Sequence, residues 1–295
     1  MERAWRIAAG NIAVSAMVVA LKAAAWWLTG SAALYSDALE SLVNVASAGM
    51  AYAALRVAAK PADANHLYGH DKAEFFAAVI EGALIIAAAV LIFQHAWFAW
   101  RHPAPLHAPL TGIALNAAAT VVNAAWAAVL LRAGRRTRSA ALRADARHLT
   151  TDVVASTGVV VGLALVVVTG IQAIDAALAA AIAVYILASG FLLLRDSVGG
   201  LMDAAPGPEI VERIRRLVAE HAQGALEAHD LRTRNAGRLT FLEFHLVVPG
   251  SMTVAEAHDI CDRIEAALQA EVDGVVTTIH VEPEGKAKHR GVPVL

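Results

Sequence analysis

The chain has 295 residues, 58% of them hydrophobic and only 17% charged, with mean hydropathy +0.55, which excludes an ordinary single soluble domain for most of its length. A net charge of −2, with the basic residues confined to short connections, gives no stripe for nucleic acid. The only cysteine, Cys261, excludes an intramolecular disulfide and is compatible with a reducing cytoplasm.

In chain order, six apolar segments lie near 7 to 28, 32 to 57, 73 to 100, 108 to 132, 144 to 169 and 172 to 194. Each has about the 20 residues an α-helix needs to cross roughly 30 Å of hydrocarbon. The Arg-bearing N-terminus and first apolar run also resemble a signal peptide, but Lys22 interrupts that run and more spans follow. Thr29-Gly30-Ser31 and Thr169-Gly170-Ile171 read as tight turns, and His102-Pro103 opens the break between the third and fourth segments. Trp26, Trp27, Trp97 and Trp100 sit at span ends as interfacial anchors. Arg56, Lys60 and Lys72 follow the second span, Arg132, Arg135, Arg136, Arg138, Arg143 and Arg147 follow the fourth, and Arg3, Arg6 and Arg195 flank the ends. The other side holds little beyond Arg101, so both termini are expected in the cytoplasm.

Two polar stripes interrupt the grease. Asp37, Glu40, Asn44 and Ser47 recur at three- and four-residue spacing in the second segment, as do Asp145, His148, Asp152 and Ser156 in the fifth, so each set occupies one helix face. An ionised side chain near mid-bilayer costs about 2.5–3.5 kcal/mol even on the lenient insertion scale, so several together imply a compensating ligand or a water-filled path. A divalent cation is the obvious compensator. Glu81, Asn116, Asn123 and Asp175 could line the same path or bond between helices.

After Asp203-Ala204-Ala205-Pro206 the composition becomes that of a globular domain. Pro206 and Pro208 open a helix to about residue 222, and β-like stretches at 227 to 234 and 239 to 248 are joined by the turn-prone Asn235-Ala236-Gly237. Thr253 and Glu256 form a capping box that opens a helix to about 270, and 275 to 281 is a last strand. This αββαβ order predicts a small α+β domain, ferredoxin-like or metallochaperone-like, whose limited core would benefit from dimerisation or metal.

The same domain holds His229, His245, His258 and His280, with Glu282 two residues beyond the last, ligand types that suit a borderline cation. His245 shares a strand face with Phe241 and Glu243, and Glu282 shares one with His280. Cys261, one turn from His258, reads as helix packing. Between spans two and three, Asp63, His66 and His70 could close around one cation on a loop bent at Gly69, or belong to a solvated linker.

Four motifs in order resemble the cation diffusion facilitator family, close to its bacterial zinc and ferrous-iron efflux branch, from about Gly10 to Pro283: Ser36 to Asn44, Asp63 to Glu74, His148 to Asp152, and His229 to Arg234. The resemblance implies a six-helix multi-pass membrane domain (1–203), a cytoplasmic metal-binding regulatory and dimerisation domain (204–285) and a tail (286–295), in the bacterial inner membrane. It maps a transport site onto Glu40, Asn44, His148 and Asp152, where the zinc branch commonly has Asp/Asp or His/Asp in span two; here a neutral amide lowers the site's negative charge. Asp37 is expected to add charge or to face water in an outward vestibule. It implies a loop site at Asp63, His66 and His70, a two-metal site at His229, His245, His258, His280 and Glu282, and an ion pair of Lys72 with Asp203 as structure or hinge. The implied activity is divalent metal/proton antiport by a homodimer, with metal as substrate and regulatory ligand, no prosthetic group and no nucleic-acid partner; Zn²⁺ heads the candidates, followed by Fe²⁺, Co²⁺, Cd²⁺, Ni²⁺ and Mn²⁺. His148, titrating nearest neutral pH, is the expected coupling residue. The rival readings are a metal-responsive scaffold that moves nothing and a membrane-embedded metalloenzyme, for which no substrate motif is present.

Overall fold

The structure, a computed structural model, describes the backbone of residues 2–137, 140–288 and 292–293, and their side chains except at 2–9, 11, 12, 47, 48, 51, 55, 134–137, 140–145, 147, 148, 292 and 293. The chain separates into two compact units, Met1–Tyr52 with Ile80–Leu194, and Ala53–Val79 with Arg195–Leu295.

The first unit is built from six helices, α1 (Glu2–Thr29), α2 (Ala32–Ala58), α3 (Ala73–Arg101), α4 (Pro109–Thr137), α5 (Ala140–Thr169) and α6 (Ala173–Leu201), of which residues 53–58, 73–79 and 195–201 count with the second unit. At about 1.5 Å per residue each reaches roughly 40 Å, more than the hydrocarbon thickness. They therefore start or end beyond the apolar segments read from sequence. Among the described residues, length and apolarity alone mark α3, Pro109–Ala133, Leu149–Thr169 and α6 as membrane-crossing. α1 and α2 are not among them: the described apolar part of α1 is Ala13–Thr29, and the description of α2 leaves out residues 47, 48, 51 and 55. Gly30 and Gly170 turn the chain at φ of 69° and 70°, a conformation that costs glycine little, which makes the α1–α2 and α5–α6 connections tight.

Close packing and polar ties hold this unit. A Cβ on Gly82 of α3 would meet the backbone nitrogen of Leu194 at 3.1 Å and the carbonyl of Gly190 at 3.2 Å, so the small residues let α3 and α6 approach backbone to backbone. Ala25, Leu34, Val159 and Leu163 form one buried cluster, and Ala89, Ile92, Ala183 and Ile186 another. Buried Asp175 at the start of α6 accepts from Ser31 Oγ at 2.5 Å, Ala32 N at 2.6 Å and Ala33 N at 3.2 Å, capping α2 from a neighbouring helix. Of the two roles open to Asp175, interhelical bonding is the one seen. Trp27, Trp97 and Trp100 are exposed at helix ends.

In the second unit α6 closes on Asp203 at φ 61°, with Ala204 N donating to Gly199 O at 2.9 Å across the last turn. There follow α7 (Pro208–His221), β1 (Glu227–Ala236), β2 (Leu239–Val248), α8 (Val254–Glu271), β3 (Val275–Pro283) and the short β4 (Val292–Pro293). β1 and β2 form an antiparallel hairpin turning through Gly237 at φ 62°, α8 carries the crossover to β3, parallel to β2, and the sheet order is β3-β2-β1-β4. The capping box at Thr253 is formed, with Glu256 N donating to Thr253 Oγ1 and Thr253 N to the Glu256 carboxylate. Leu242, Phe244, Leu246 and Val248 alternate onto the face covered by Ile214, Leu217, Val218, Ile260, Ile264 and Leu268. Cys261 is buried in that core, and burial pushes its thiol up from the ordinary value, as suits packing.

Candidate functional site

In the first unit, Glu40, Asn44, Ile85, Asp152, Tyr185 and Ser189 help line a cleft of about 250 Å³. Asn44 Nδ2 donates to Asp152 Oδ2 at 3.0 Å across α2 and α5, and Asp152 is buried. Glu40, one turn from Asn44, opens onto the same space, so the structure brings three of the four expected transport residues together. His148 lies outside the residues whose side chains are described, as do Ser47 and Asp145 of the same stripes.

Asp37 departs from the vestibule expectation. It is 2% exposed, and its Oδ1 pairs with Lys22 Nζ at 2.8 Å. Lys22, 1% exposed, also donates to Ser41 Oγ and Ser156 Oγ, each at 2.8 Å. The physical reason is that a lysine in the middle of α1 needs a carboxylate in reach, and Asp37 supplies it. The signal was available, because a charge interrupting an apolar run demands a partner.

The loop between α2 and α3 folds on Asp63. Its Oδ1 accepts from Asn65 N at 2.9 Å and His66 N at 2.8 Å, and those backbone donors hold its carboxyl below the usual range. His66 Nδ1 is 3.2 Å from Asp63 Oδ1 and His70 Nε2 is 3.4 Å from Oδ2, so one ligand atom from each of the three lies within 4.8 Å of the others. Gly69, at φ 85°, makes the expected bend. Next to it, buried Asp71 accepts from Arg238 Nε at 2.7 Å, a pair that no spacing in the sequence announces. Lys72 Nζ meets Asp203 Oδ1 at 2.8 Å, and Arg234 reaches the same oxygen at 3.4 Å while stacking on Phe241 at 4.1 Å.

On the sheet face opposite the helices, His229 of β1, His245 of β2 and His280 of β3 stand in register as one cross-strand row, with ring centroids 5.3 and 4.9 Å apart. Glu282 reaches all three: 3.3 Å to His229 Nε2, 3.2 Å to His245 Nδ1 and 3.7 Å to His280 Nε2. Both ring nitrogens of His229 and Nδ1 of His245 are buried without a well-aligned hydrogen-bond partner among the described residues, a state that a cation would relieve. Two further carboxylates adjoin the row. Glu227 lies 3.5 Å from His229 Nδ1, and Asp230, at φ 53° beside the β1 bulge, pairs with Lys288 at 2.5 Å; that lysine holds the Asp230 carboxyl below its ordinary value. The i, i+2 spacing of Glu227 and His229 on one strand was the missed signal. His258 does not join the row in a single chain: α8 packs on the opposite face, and His258 is exposed with Asp262 3.6 Å away.

Residues 11–202 match the cation efflux transmembrane domain, and residues 206–284 match the cation efflux protein cytoplasmic domain. The chain belongs to the cation diffusion facilitator family. The transmembrane match runs from within α1 to the end of α6, and with it this is a multi-pass membrane transporter for cation efflux, with a metal-binding, dimer-forming α+β domain at its C-terminal end. Among its relatives, the uncharacterized transporter sll1263 of Synechocystis is 43% identical over 92% of this chain and 88% of its own length. The cation-efflux pump FieF of Cronobacter sakazakii is 32% identical over 94% of this chain and 92% of its own. The solved Zn form of CzrB is 55% identical, covering 28% of this chain and 96% of its own, at a TM-score of 0.28.

Proposed function

We propose that this family member exports a divalent metal from the cytoplasm in exchange for protons, by alternating access, with Glu40, Asn44, His148 and Asp152 as the transport site. The observation that carries this reading is the 3.0 Å contact between Asn44 and Asp152 in a cleft shared with Glu40, inside a membrane helix bundle. The Asn44 amide offers nitrogen to Asp152; turned about its χ2 it offers oxygen to a cation instead. His148, one turn before Asp152 on α5, would supply imidazole by helical spacing. Such ligands bind metal only when deprotonated, so loading releases protons and reprotonation on the far side favours release. A mixed nitrogen and oxygen set favours Zn²⁺ first, with Fe²⁺, Co²⁺, Cd²⁺, Ni²⁺ and Mn²⁺ following.

In this reading the domains are 1–203, 204–285 and a tail at 286–295, both termini face the cytoplasm, and the membrane is the bacterial inner one. Asp63, His66 and His70 form a loop metal site, and His229, His245, His280 and Glu282 sense metal and tighten the homodimer. His258 would enter that site only from the second copy. Lys72 and Asp203 act as a hinge pair.

The test is flux of Zn²⁺ into proteoliposomes with simultaneous reading of lumenal pH. Wild type should move metal and protons in opposite directions, and Glu40→Gln, Asp152→Asn and His148→Ala should each lose at least about tenfold in rate. Metal flux with no pH change refutes antiport, flux unaffected by the three variants refutes the site, and metal-tightened dimers with no flux favour a sensing scaffold.

A further inference from the structure

The Lys22 cage lies one helical turn from the proposed transport cleft. Asp37 and Ser41 precede Glu40 and Asn44 on one face of α2, and Ser156 follows Asp152 on α5, so cage and cleft are stacked along the same two helices. Nζ of Lys22 spends all three protons on Asp37 Oδ1, Ser41 Oγ and Ser156 Oγ at 2.8 Å, and Ser156 Oγ donates onward to Asp37 Oδ1 at 2.8 Å. One ammonium thus joins α1, α2 and α5. Asp37 Oδ2 is buried with no hydrogen-bond partner among the described residues, so the ammonium does not exhaust that carboxylate.

A buried ion pair is a poor device for stability alone, since well-packed apolar residues of similar volume do as well or better. Its position suggests another use. When ionised, Asp37, Glu40 and Asp152 carry three negative charges, Lys22 returns one, and Asn44 contributes none. The remainder is two negative charges, the amount that one divalent cation neutralises.

We propose that Lys22 tunes the transport site: its caged charge sets the cleft's electrostatic balance to that of a single divalent cation. The proposal rests on the transport-site reading above and deepens it.

The experiment is a double-mutant cycle in full-length protein reconstituted in nanodiscs, read as Zn²⁺ affinity. The background carries alanine at His66, His70, His229, His245, His258 and His280, so that the membrane site reports. At about 5.4 Å, one helical turn, a unit charge is worth on the order of tenfold in affinity for a doubly charged ligand even at the dielectric of water, and more in a drier interior. Lys22→Met should therefore tighten Zn²⁺ binding at least about tenfold, Asp37→Asn should weaken it at least about tenfold, and the combined variant should cancel the two shifts. Singles that shift affinity in the same direction, or that lower thermal stability without moving affinity, overturn the proposal and leave Lys22 a packing tie. If Lys22→Met does not fold, Asp37→Asn decides alone: weaker binding supports the charge balance, while unchanged or tighter binding overturns it. A Glu40→Gln control that leaves wild-type affinity unchanged would instead remove the transport-site reading itself.

Discussion

Replacing Asp175 should destabilise the membrane unit by as much as truncating a buried leucine. Its carboxylate is 6% exposed and receives Ala32 N at 2.6 Å, Ala33 N at 3.2 Å and Ser31 Oγ at 2.5 Å. The two amides belong to the first turn of α2, where backbone donors have no partner within their own helix. Asp175→Ala leaves these buried donors unsatisfied at about 1–3 kcal/mol each and removes a negative charge from the helix N-terminus, worth roughly 0.3–1 kcal/mol. Ser31 Oγ still accepts from Leu34 N at 3.1 Å, so one local cap survives. The expected loss is about 3–5 kcal/mol for alanine and roughly half of that for asparagine, which keeps one acceptor oxygen. Equilibrium unfolding in mixed detergent measures it. A loss for alanine below about 1 kcal/mol, or asparagine as harmful as alanine, would show that the cap does not hold α2 and that the carboxylate serves some other end.

Zinc at a hundred times its dissociation constant should stabilise the C-terminal α+β domain by about 2.7 kcal/mol, seen as slower amide exchange in β1 to β3 of the full chain. The double variant His229→Ala with Glu282→Gln should abolish that gain, and a gain that survives in it would discount the cross-strand row as the ligand set. The Asp203 carboxyl is held below its usual value of 3.8, first by the hydrogen bond from Lys72 and then by the charges of Lys72 and Arg234. A depressed folded value means that the pair's contribution is present above the unfolded value and is lost as pH falls through the folded one. Asp203 is half exposed, so screening keeps the effect under about 1 kcal/mol. The exchange-protection difference between wild type and Lys72→Met at the end of α6 should hold constant from neutral pH to about 5 and vanish only below the ordinary carboxylate range. A difference already gone at pH 5 would contradict this.

Local chemistry was legible from residues alone. Apolar runs bounded by Gly30 and Gly170 located the helices, because chain length across a bilayer and positive φ at a tight turn are properties of short stretches. Thr253 and Glu256 announced the start of α8 for the same reason, and three- and four-residue spacing placed Glu40 with Asn44 on one face. Periodicity tells a side chain which face of its own element it occupies and nothing about which element stands opposite. Hence the row of His229, His245 and His280 emerges only from the register of the hairpin and of the parallel crossover, and the sheet that creates the row also walls His258 off from it. Lys22 against Asp37, Asp175 against the start of α2, and Arg238 against Asp71 are likewise partners on different elements, 15, 143 and 167 residues apart. Such pairings are decided by packing, where a buried charge must find its counter-charge wherever the fold delivers one.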